Sequence, residues 1–525
     1  MRMKKFFDYF SHLLMQAWKP ATTRKVYFKT CFITYKRQNT YIIVYIYGNC
    51  SHLTRFVKIG YNKLLNCVKI KNLFNIYNSL VQFRKVGIIM AFSLHGVKVP
   101  HRKNTANISA VKLTSPKTVI LPTAMHIGAP ATPVVKAGDH VDVGTLVAQQ
   151  NGAISSPVYA SVSGTVTKIA DFLTSTGKYV PAVVIESDGE NTVAQLTPPH
   201  IDSKESFIEA IRQSGLVGLG GAGFPSYAKF ATDKPIEYLI INGTECEPYI
   251  TSDTRTMIDD ADAIADAINI IDKYFDIKEY IIGIERNKKD AIAKMQEIAK
   301  NNSKVKVKVL PSRYPQGGEK VLIFNTTGKV VKTGCLPADV GCLVFNCTTM
   351  AYISKYIKTG MPLVEKTITV DGGAVKEPKN VTAPIGTPIK DVFDFCGGFT
   401  TEPSKVIYGG PMMGITVPDL DAPVLKQTNA ILALTEKETR IPEETACIKC
   451  GTCANTCPLG INPAAIVKNY ESGNFEGLGK LGIQVCMECG CCSFNCPACK
   501  PLVQTNKMAK AAYKKFIDEN KEAAK

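Results

Sequence analysis

Cys447-Ile-Lys-Cys450-Gly-Thr-Cys453-Ala-Asn-Thr-Cys457-Pro458 recurs 39 residues on, counted from Cys447 to Cys486, as Cys486-Met-Glu-Cys489-Gly-Cys-Cys492-Ser-Phe-Asn-Cys496-Pro497. Each copy reads C-x2-C-x2-C-x3-C-P, the spacing with which thiolates hold a [4Fe–4S] cluster. Three cysteines on one tight loop can grip three corners of an iron–sulfide cube. The fourth begins the next segment and points away, so it serves the cluster of the other run. This assigns Cys447, Cys450, Cys453 and Cys496 to one cluster, and Cys486, Cys489, Cys492 and Cys457 to the second. Two four-cysteine zinc sites are the alternative, although zinc has no need of a third cysteine at x2 and a following proline, twice over.

Outward from this stretch, 525 residues predict three or four domains. The net charge of +18 suggests nucleic acid until it is located. Residues 1–89 carry 16 of the 63 Lys and Arg against one acid, Asp8, and the remainder is nearly balanced at 47 basic and 44 acidic residues. The basic signal therefore belongs to this leader alone, and no nucleic-acid partner is expected. Lys, Phe, Ile, Tyr and Asn make up 43 of its 89 residues and no period of 2 or 3.6 persists, which reads as translated upstream DNA or disordered chain, with Met90 as the natural start. A basic arm and a targeting peptide are the rivals, but no apolar stretch precedes a small-residue cleavage site. Its longest apolar run, residues 41–47, is far short of the ~20 residues that span a bilayer, and nothing later is longer. Eight of the 18 cysteines are candidate ligands. Cys246, Cys335, Cys342, Cys347, Cys396, Cys491 and Cys499 read as small apolar residues, and oxygen-sensitive ligands point to a reducing compartment without disulfides.

From Met90 the expected units are residues 90–200, 201–362, 363–435, 436–505 and a helical tail, 506–525. Residues 119–186 are short β segments broken by Gly, Pro and Asp, the pattern of a small barrel or sandwich. They resemble the barrel-sandwich hybrid of lipoyl and biotinyl carriers, but the stretch Gln150-Asn-Gly-Ala-Ile-Ser-Ser-Pro157 holds no lysine to modify, which makes the unit structural. From Ser203 helices and apolar strands alternate: helix 205–214, strand 237–242, helix 259–275, strand 279–284, helix 288–300 and strand 305–310. That order predicts a doubly wound, Rossmann-like α/β domain. Its Gly-rich element, Gly218-Leu-Gly220-Gly221-Ala-Gly223-Phe224-Pro-Ser-Tyr-Ala-Lys229, lets backbone N–H groups approach a phosphate without Cβ interference, with a lysine where a helix begins. Residues 366–375 read as a hairpin on an Asp-Gly-Gly turn, followed by a short helix at 389–396.

The element Gly218 to Lys229 resembles the FMN loop of the flavin subunit of respiratory complex I. Three further segments follow in that family's order. Asn242-Gly-Thr-Glu245-Cys-Glu247-Pro resembles its acidic segment at the flavin ribityl and ring, Tyr314-Pro-Gln-Gly317-Gly-Glu319 its element beside flavin and nicotinamide, and Val344-Phe-Asn346-Cys-Thr-Thr349 its phosphate-side strand. The resemblance implies that Gly218, Gly220, Gly221, Gly223, Phe224 and Lys229 seat FMN. It also implies that Asn242, Glu245, Glu247, Tyr314, Gly317, Glu319, Asn346 and Thr349 contact FMN or NAD(H), with Glu245 and Glu319 as the catalytic pair. The chain departs in Leu219 and Gly318, where complex I has Arg and Glu. Residues 363–435 resemble a β-grasp domain that binds soluble ligands, with Gly409-Gly-Pro-Met-Met-Gly414 as a loop abutting the cofactor or a packing element.

Lipoyl-like barrel, flavin fold, β-grasp unit and dicluster module, with Gly96-Val-Lys-Val-Pro-His-Arg-Lys103 and Gly334-Cys-Leu-Pro-Ala-Asp-Val-Gly341, together resemble the RnfC family of the Rnf ion-translocating ferredoxin:NAD+ oxidoreductases. The resemblance implies a peripheral subunit on the cytoplasmic face of the membrane. Its cofactors would be two [4Fe–4S] clusters, FMN and NAD(H), and its partners the membrane-embedded and iron–sulfur subunits of the complex and ferredoxin. A soluble NADH-dependent flavin/iron–sulfur dehydrogenase or hydrogenase subunit is the alternative of the same class. A zinc-stabilised scaffold or nucleic-acid binder is the alternative of another.

Overall fold

The computed structural model describes residues 95–523 apart from 115, 175–176 and 418, together with the strands Cys31–Tyr35, Tyr41–Ile46 and Val57–Gly60. The chain divides into two compact units, Met1–Ser93 and Leu94–Lys525. In the first, the three strands pair antiparallel in chain order. The middle strand, Tyr41–Ile46, is an unbroken run of Ile, Val and Tyr, which a search for a period of 2 passes over. Otherwise the reading of residues 1–89 lies outside the described residues.

In the second unit, residues 118–187 fold into two antiparallel sheets. One orders Thr118–Pro122, Tyr179–Ser187, Gly164–Leu173 and His140–Val141, and the other orders Thr132–Pro133, Leu146–Gln149 and Val158–Tyr159. Val119, Leu121, Val166, Val183 and Ile185 point inward and are fully buried, as alternation on a half-buried sheet requires. The segment before this barrel belongs elsewhere. Val97 pairs with Tyr314, and Val111–Lys112 adds a parallel edge strand beside Val381–Thr382.

The α/β unit has one parallel sheet in the order Val305–Leu310, Glu279–Glu285, Tyr238–Gly243, Cys342–Asn346. Its central strands are apolar runs, because helices cover both faces. The helix expected over 259–275 is instead two, Ser252–Asp259 and Ala261–Asp272, hinged at Asp260, whose φ of −111° leaves the helical region. Asp259, Asp260 and Asp262 crowd this point, and aspartate is a poor helix-interior residue.

The next unit is a six-stranded mixed sheet over residues 365–434, with Val111–Lys112 at one edge and helix Ile389–Phe395 on a face. The hairpin expected over 366–375 is corrected. Glu365–Asp371 does pair antiparallel, but with Lys379–Pro384. Gly372 turns at φ +114° against the Ala433 carbonyl, so the chain runs along the neighbouring strand before it returns. Helices Thr452–Asn455, Pro463–Glu471, Phe475–Lys480, Cys491–Phe494 and Leu502–Ala523 form the cysteine-bearing module around Ile466, Leu478, Ile483 and Ala509. No described helix is long and apolar enough to cross a membrane.

Candidate cofactor sites

The chain leaves Tyr238–Gly243, adds two strands on one side, then returns to the other side with Cys342–Asn346. Such a reversal opens a crevice at the carboxyl ends of the two diverging strands, where open α/β sheets take their ligands. Asn242 and Asn346 are paired in register there. All four segments singled out in the sequence reach this place. The Asn242 amide donates to the Gly317 carbonyl at 3.0 Å, the Leu219 N–H donates to the Thr349 hydroxyl at 3.1 Å, and Lys229 sits 3.1 Å from the Glu319 carboxylate.

The Gly-rich loop closes on itself through Gly218 N–H to Phe224 carbonyl and Gly223 N–H to Gly218 carbonyl. Gly221 and Gly223 have φ of +107° and +66°, which side chains rarely adopt. Gly220 is needed for a different reason: a Cβ there would lie 2.9 Å from the Asn346 amide nitrogen. Asn346 cannot easily retreat. Its oxygen caps helix Cys347–Thr359 at Thr348 and Thr349, and its nitrogen donates to Asp253 at 2.7 Å. Leu219, which stands where complex I has Arg, is fully buried in the core. Lys229 donates to Glu319 and, at 2.8 Å, to the Val344 carbonyl, so its ammonium is already engaged.

The two acids of the 242–247 segment are turned inward. Glu245 accepts from the N–H groups of Asp253 and Thr254 and from the Thr254 hydroxyl, which caps helix Ser252–Asp259. Burial pushes its pKa up, against the pull of Lys103 and Lys288. Glu247 accepts from the N–H groups of Met412 and Met413 at 3.0 and 2.9 Å, and burial pushes its pKa up to about 7. The Gly409–Gly414 loop is thereby latched to the α/β unit. Tyr314 is 2 % exposed, and its hydroxyl donates to the Cys489 carbonyl at 2.7 Å. The departure at Gly318 has a local cause, since a Cβ there would stand 2.2 Å from the Met487 methyl. The second cysteine loop occupies the space a glutamate would need.

In the cysteine module the repeat extends to the backbone. Lys449, Gly451 and Gly460 have positive φ, and so do Glu488, Gly490 and Cys499, each 39 residues later. Short helices follow at Thr452–Asn455 and Cys491–Phe494. Loops of this kind gather N–H groups into concavities suited to an anionic cluster. Cys457, Cys486, Cys489 and Cys492 line one small cavity, which puts the fourth cysteine of the first run with the first three of the second. Cys453 and Cys496 pack together against Leu502 and Val503, while Cys447 and Cys450 are exposed. Among the described residues no three His, Cys, Asp or Glu side chains are close enough to share a single metal ion. A cube places its cysteines on four separate irons, so a donor set spread around a cavity fits it.

FMN passes a similar test of fit. Gly220 and Gly221 offer exposed backbone at the crevice. Two buried amide atoms near it have no partner: Gln316 Nε2, one residue before Gly317, and Oε1 of Gln427, whose side chain faces Gly223. Sequence reasoning missed Asp253, Gln427, Met487 and Lys103. Lys103 and Met487 lie in recognisable motifs, but at positions that carry no signal of their own, and Asp253 and Gln427 lie in none. A cavity of about 600 Å3 opens at the opposite, amino-terminal edge of this sheet beside Glu237 and Gly341 and includes none of these residues.

Comparison with known proteins agrees with this architecture. Residues 92–190 match the RnfC barrel sandwich hybrid domain, 211–355 the Nuo51 FMN-binding domain and 367–416 the SLBB domain. The chain is 42% identical over 371 residues to the C subunit of the proton-translocating ferredoxin:NAD(+) oxidoreductase complex of Clostridium ljungdahlii, covering 70% of this chain and 81% of that one. It is 41% identical over 386 residues to the C subunit of the Na(+)-translocating complex of Acetobacterium woodii, covering 72% and 87%. The C subunit of the ion-translocating oxidoreductase complex of Rhodobacter capsulatus is 38% identical over 432 residues, covering 80% and 83%.

Proposed function

Because the chain belongs to the RnfC family, the C subunits of ion-translocating ferredoxin:NAD+ oxidoreductase (Rnf) complexes, we propose that it is the NAD(H)-reacting electron-transfer subunit of such a complex, holding FMN and two [4Fe–4S] clusters. The observation that carries this reading is the convergence of the four segments at Asn242 and Asn346, with the second cysteine loop seated against the same crevice through Tyr314. FMN, when bound, supplies the exchange between two-electron hydride chemistry and single-electron relay, and the clusters supply the relay.

The chain's own residues bind and orient. Backbone N–H groups of residues 220–222, which the loop's own hydrogen bonds do not use, would receive the phosphate end of the flavin, with Asn242, Asn346 and Thr349 shaping the crevice around it. Lys229 and Glu319 hold each other at the rim, so the lysine acts on the flavin as part of an ion pair. Glu245 and Glu247 are reassigned from contact to support: one caps a helix behind the crevice, and the other latches the 409–414 loop across it. Cys447, Cys450, Cys453 and Cys496 hold one cluster, and Cys486, Cys489, Cys492 and Cys457 the other. The subunit works peripherally on the cytoplasmic face, with ion movement, ferredoxin and the further iron–sulfur centres left to partner subunits.

The test is protein prepared without oxygen. It should carry about eight irons per chain, release a fluorescent flavin on denaturation, and lose visible absorbance when NADH is added. A fully loaded protein whose spectrum NADH leaves unchanged would overturn the assignment.

A further inference from the structure

The strap that precedes the barrel brings two cations to the α/β unit: the Arg102 guanidinium donates to the Tyr249 hydroxyl at the rim, and beyond it enters the Lys103 ammonium. It donates to three backbone carbonyls, those of Glu245 at 2.9 Å, Glu247 at 2.7 Å and Ile250 at 2.5 Å. An ammonium has three N–H groups, so its capacity is filled by one loop. The residue as a whole is half-buried, but its charged end is desolvated enough to bring its pKa down to about 8. The strap is fixed on both sides of it: Arg102 pairs with Glu438 at 2.8 Å, and the Thr105 hydroxyl meets that of Thr251 at 2.5 Å.

The loop that receives the ammonium is not at rest. Glu245 and Tyr249 have φ of +43° and +69°, left-handed conformations that cost a residue with a side chain about 1 kcal/mol or more. Such a curl persists only where something holds it, and here it turns three carbonyls to one point. The same loop begins at the Asn242 turn beside Gly317 and carries both Glu245 and Glu247 to their capping and latching positions. Lys288 adds a second ammonium at the Glu245 carbonyl, 3.2 Å away, and is itself paired with buried Glu285. It reaches one carbonyl where Lys103 reaches three.

We propose that Lys103 is a positioning residue for the cofactor crevice: a tethered cation around which residues 244–251 are coiled, and without which the loop relaxes and the crevice loses its shape for flavin. The inference rests on the reading of the crevice as an FMN site, but the coiling itself does not.

Truncation to Lys103→Ala leaves three carbonyls converging on a hole the size of n-propylammonium, so the tethered cation can be returned as a free one. In full-length protein freed of flavin but keeping its iron, amides of residues 244–251 should exchange with solvent at least tenfold faster in the variant. Millimolar n-propylammonium should restore most of the protection, and tetramethylammonium, which has no N–H, should not. FMN affinity should fall tenfold or more and recover with the same selectivity, with iron content at the parental level. Should the alanine variant fail to accumulate, Lys103→Gln keeps a donor without the charge and should show the same loss. A folded variant with parental exchange, with FMN affinity within twofold of the parent, or rescued equally by tetramethylammonium overturns the proposal. A parent chain that takes up no FMN overturns the function reading instead, and the exchange measurement then decides the inference.

Discussion

Gly220→Ala separates two reasons for a glycine at the crevice, access for a cofactor and room for a neighbour. Its backbone is outside the left-handed region and the residue is exposed, so alanine adds no strain of its own. The added Cβ would stand 2.9 Å from Asn346 Nδ2, 3.2 Å from Cγ and 3.3 Å from Cβ, closer than side chains tolerate. Asn346 must give way by a few tenths of an ångström, against its bonds to Thr348, Thr349 and Asp253. Loss of the helix cap costs about 1 kcal/mol, and loss of the bond to the Asp253 carboxylate adds about 1.5 kcal/mol. The substitution should therefore destabilise the chain by between ~1 and ~2.5 kcal/mol. In an Asn346→Ala background the amide is gone and only the Cβ at 3.3 Å remains, so the same substitution should cost far less. The measurement is the denaturant midpoint of the four chains of this cycle, without cofactor, so that lost flavin contacts do not enter. A coupling below about 0.5 kcal/mol would show that Asn346 does not need the space, and would refute the reasoning.

Three further outcomes follow from neighbouring contacts. Glu247, with its pKa raised from 4.5 to about 7, holds its proton more tightly folded than unfolded. Its contribution to stability should be full below about pH 4.5 and vanish as pH rises through 7, a span worth at most ~3 kcal/mol; Glu247→Gln should flatten that part of the stability curve, and an unchanged slope would assign it to other groups. Gly318→Glu places a side chain where Met487 lies, so it should detach the second cysteine loop and release iron, whereas Gly318→Ala, which displaces only the end of a flexible thioether, should cost ~1 kcal/mol or less. Lys426 donates to the Ser156 hydroxyl and to the carbonyls of Pro157 and Gly215 from a fully buried position, joining barrel, α/β unit and β unit. Lys426→Met leaves the Pro157 carbonyl unpaired, while the Gly215 carbonyl keeps the Ser156 hydroxyl, and should cost about 1 kcal/mol in thermal or denaturant unfolding; a neutral result would mean that the relief of an interred charge offsets the loss.

Elements set by local pattern were legible in the sequence. The parallel strands at 279–285 and 305–310 are apolar or alternating runs bounded by polar turns, and they lie where the residues predict. What failed depended on distant partners. Residues 372–378 look like a turn from their own composition, but the Ala433 carbonyl directs them into a longer return. Glu245 and Glu247 look like exposed acids poised over a cofactor. Whether they face a crevice or a helix end depends on positive φ at Glu245 and on a loop more than 160 residues away at Met412, neither of which leaves a periodic trace. Lys103 was visible as a residue and invisible as a function, because its three acceptors are backbone atoms and have no letter in the sequence.

The same distinction bears on the two cysteine runs. Their spacing, their positive-φ positions and their short helices repeat at an offset of 39 residues, so local sequence makes them equivalent. Their surroundings do not. The second run is pressed against Tyr314, Gly318 and Met412, with Cys489 and Cys492 buried, whereas Cys447 and Cys450 of the first are exposed. Burial and hydrogen bonding govern the potential of a cysteine-held cluster more than the spacing of its ligands does. A duplicated motif that would give two equal sites in isolation is therefore made unequal by what it docks against. The residues responsible, Tyr314, Gly318 and Met412, lie in the two units that border the crevice at Asn242 and Asn346, which ties the properties of the cysteine module to the geometry of that crevice.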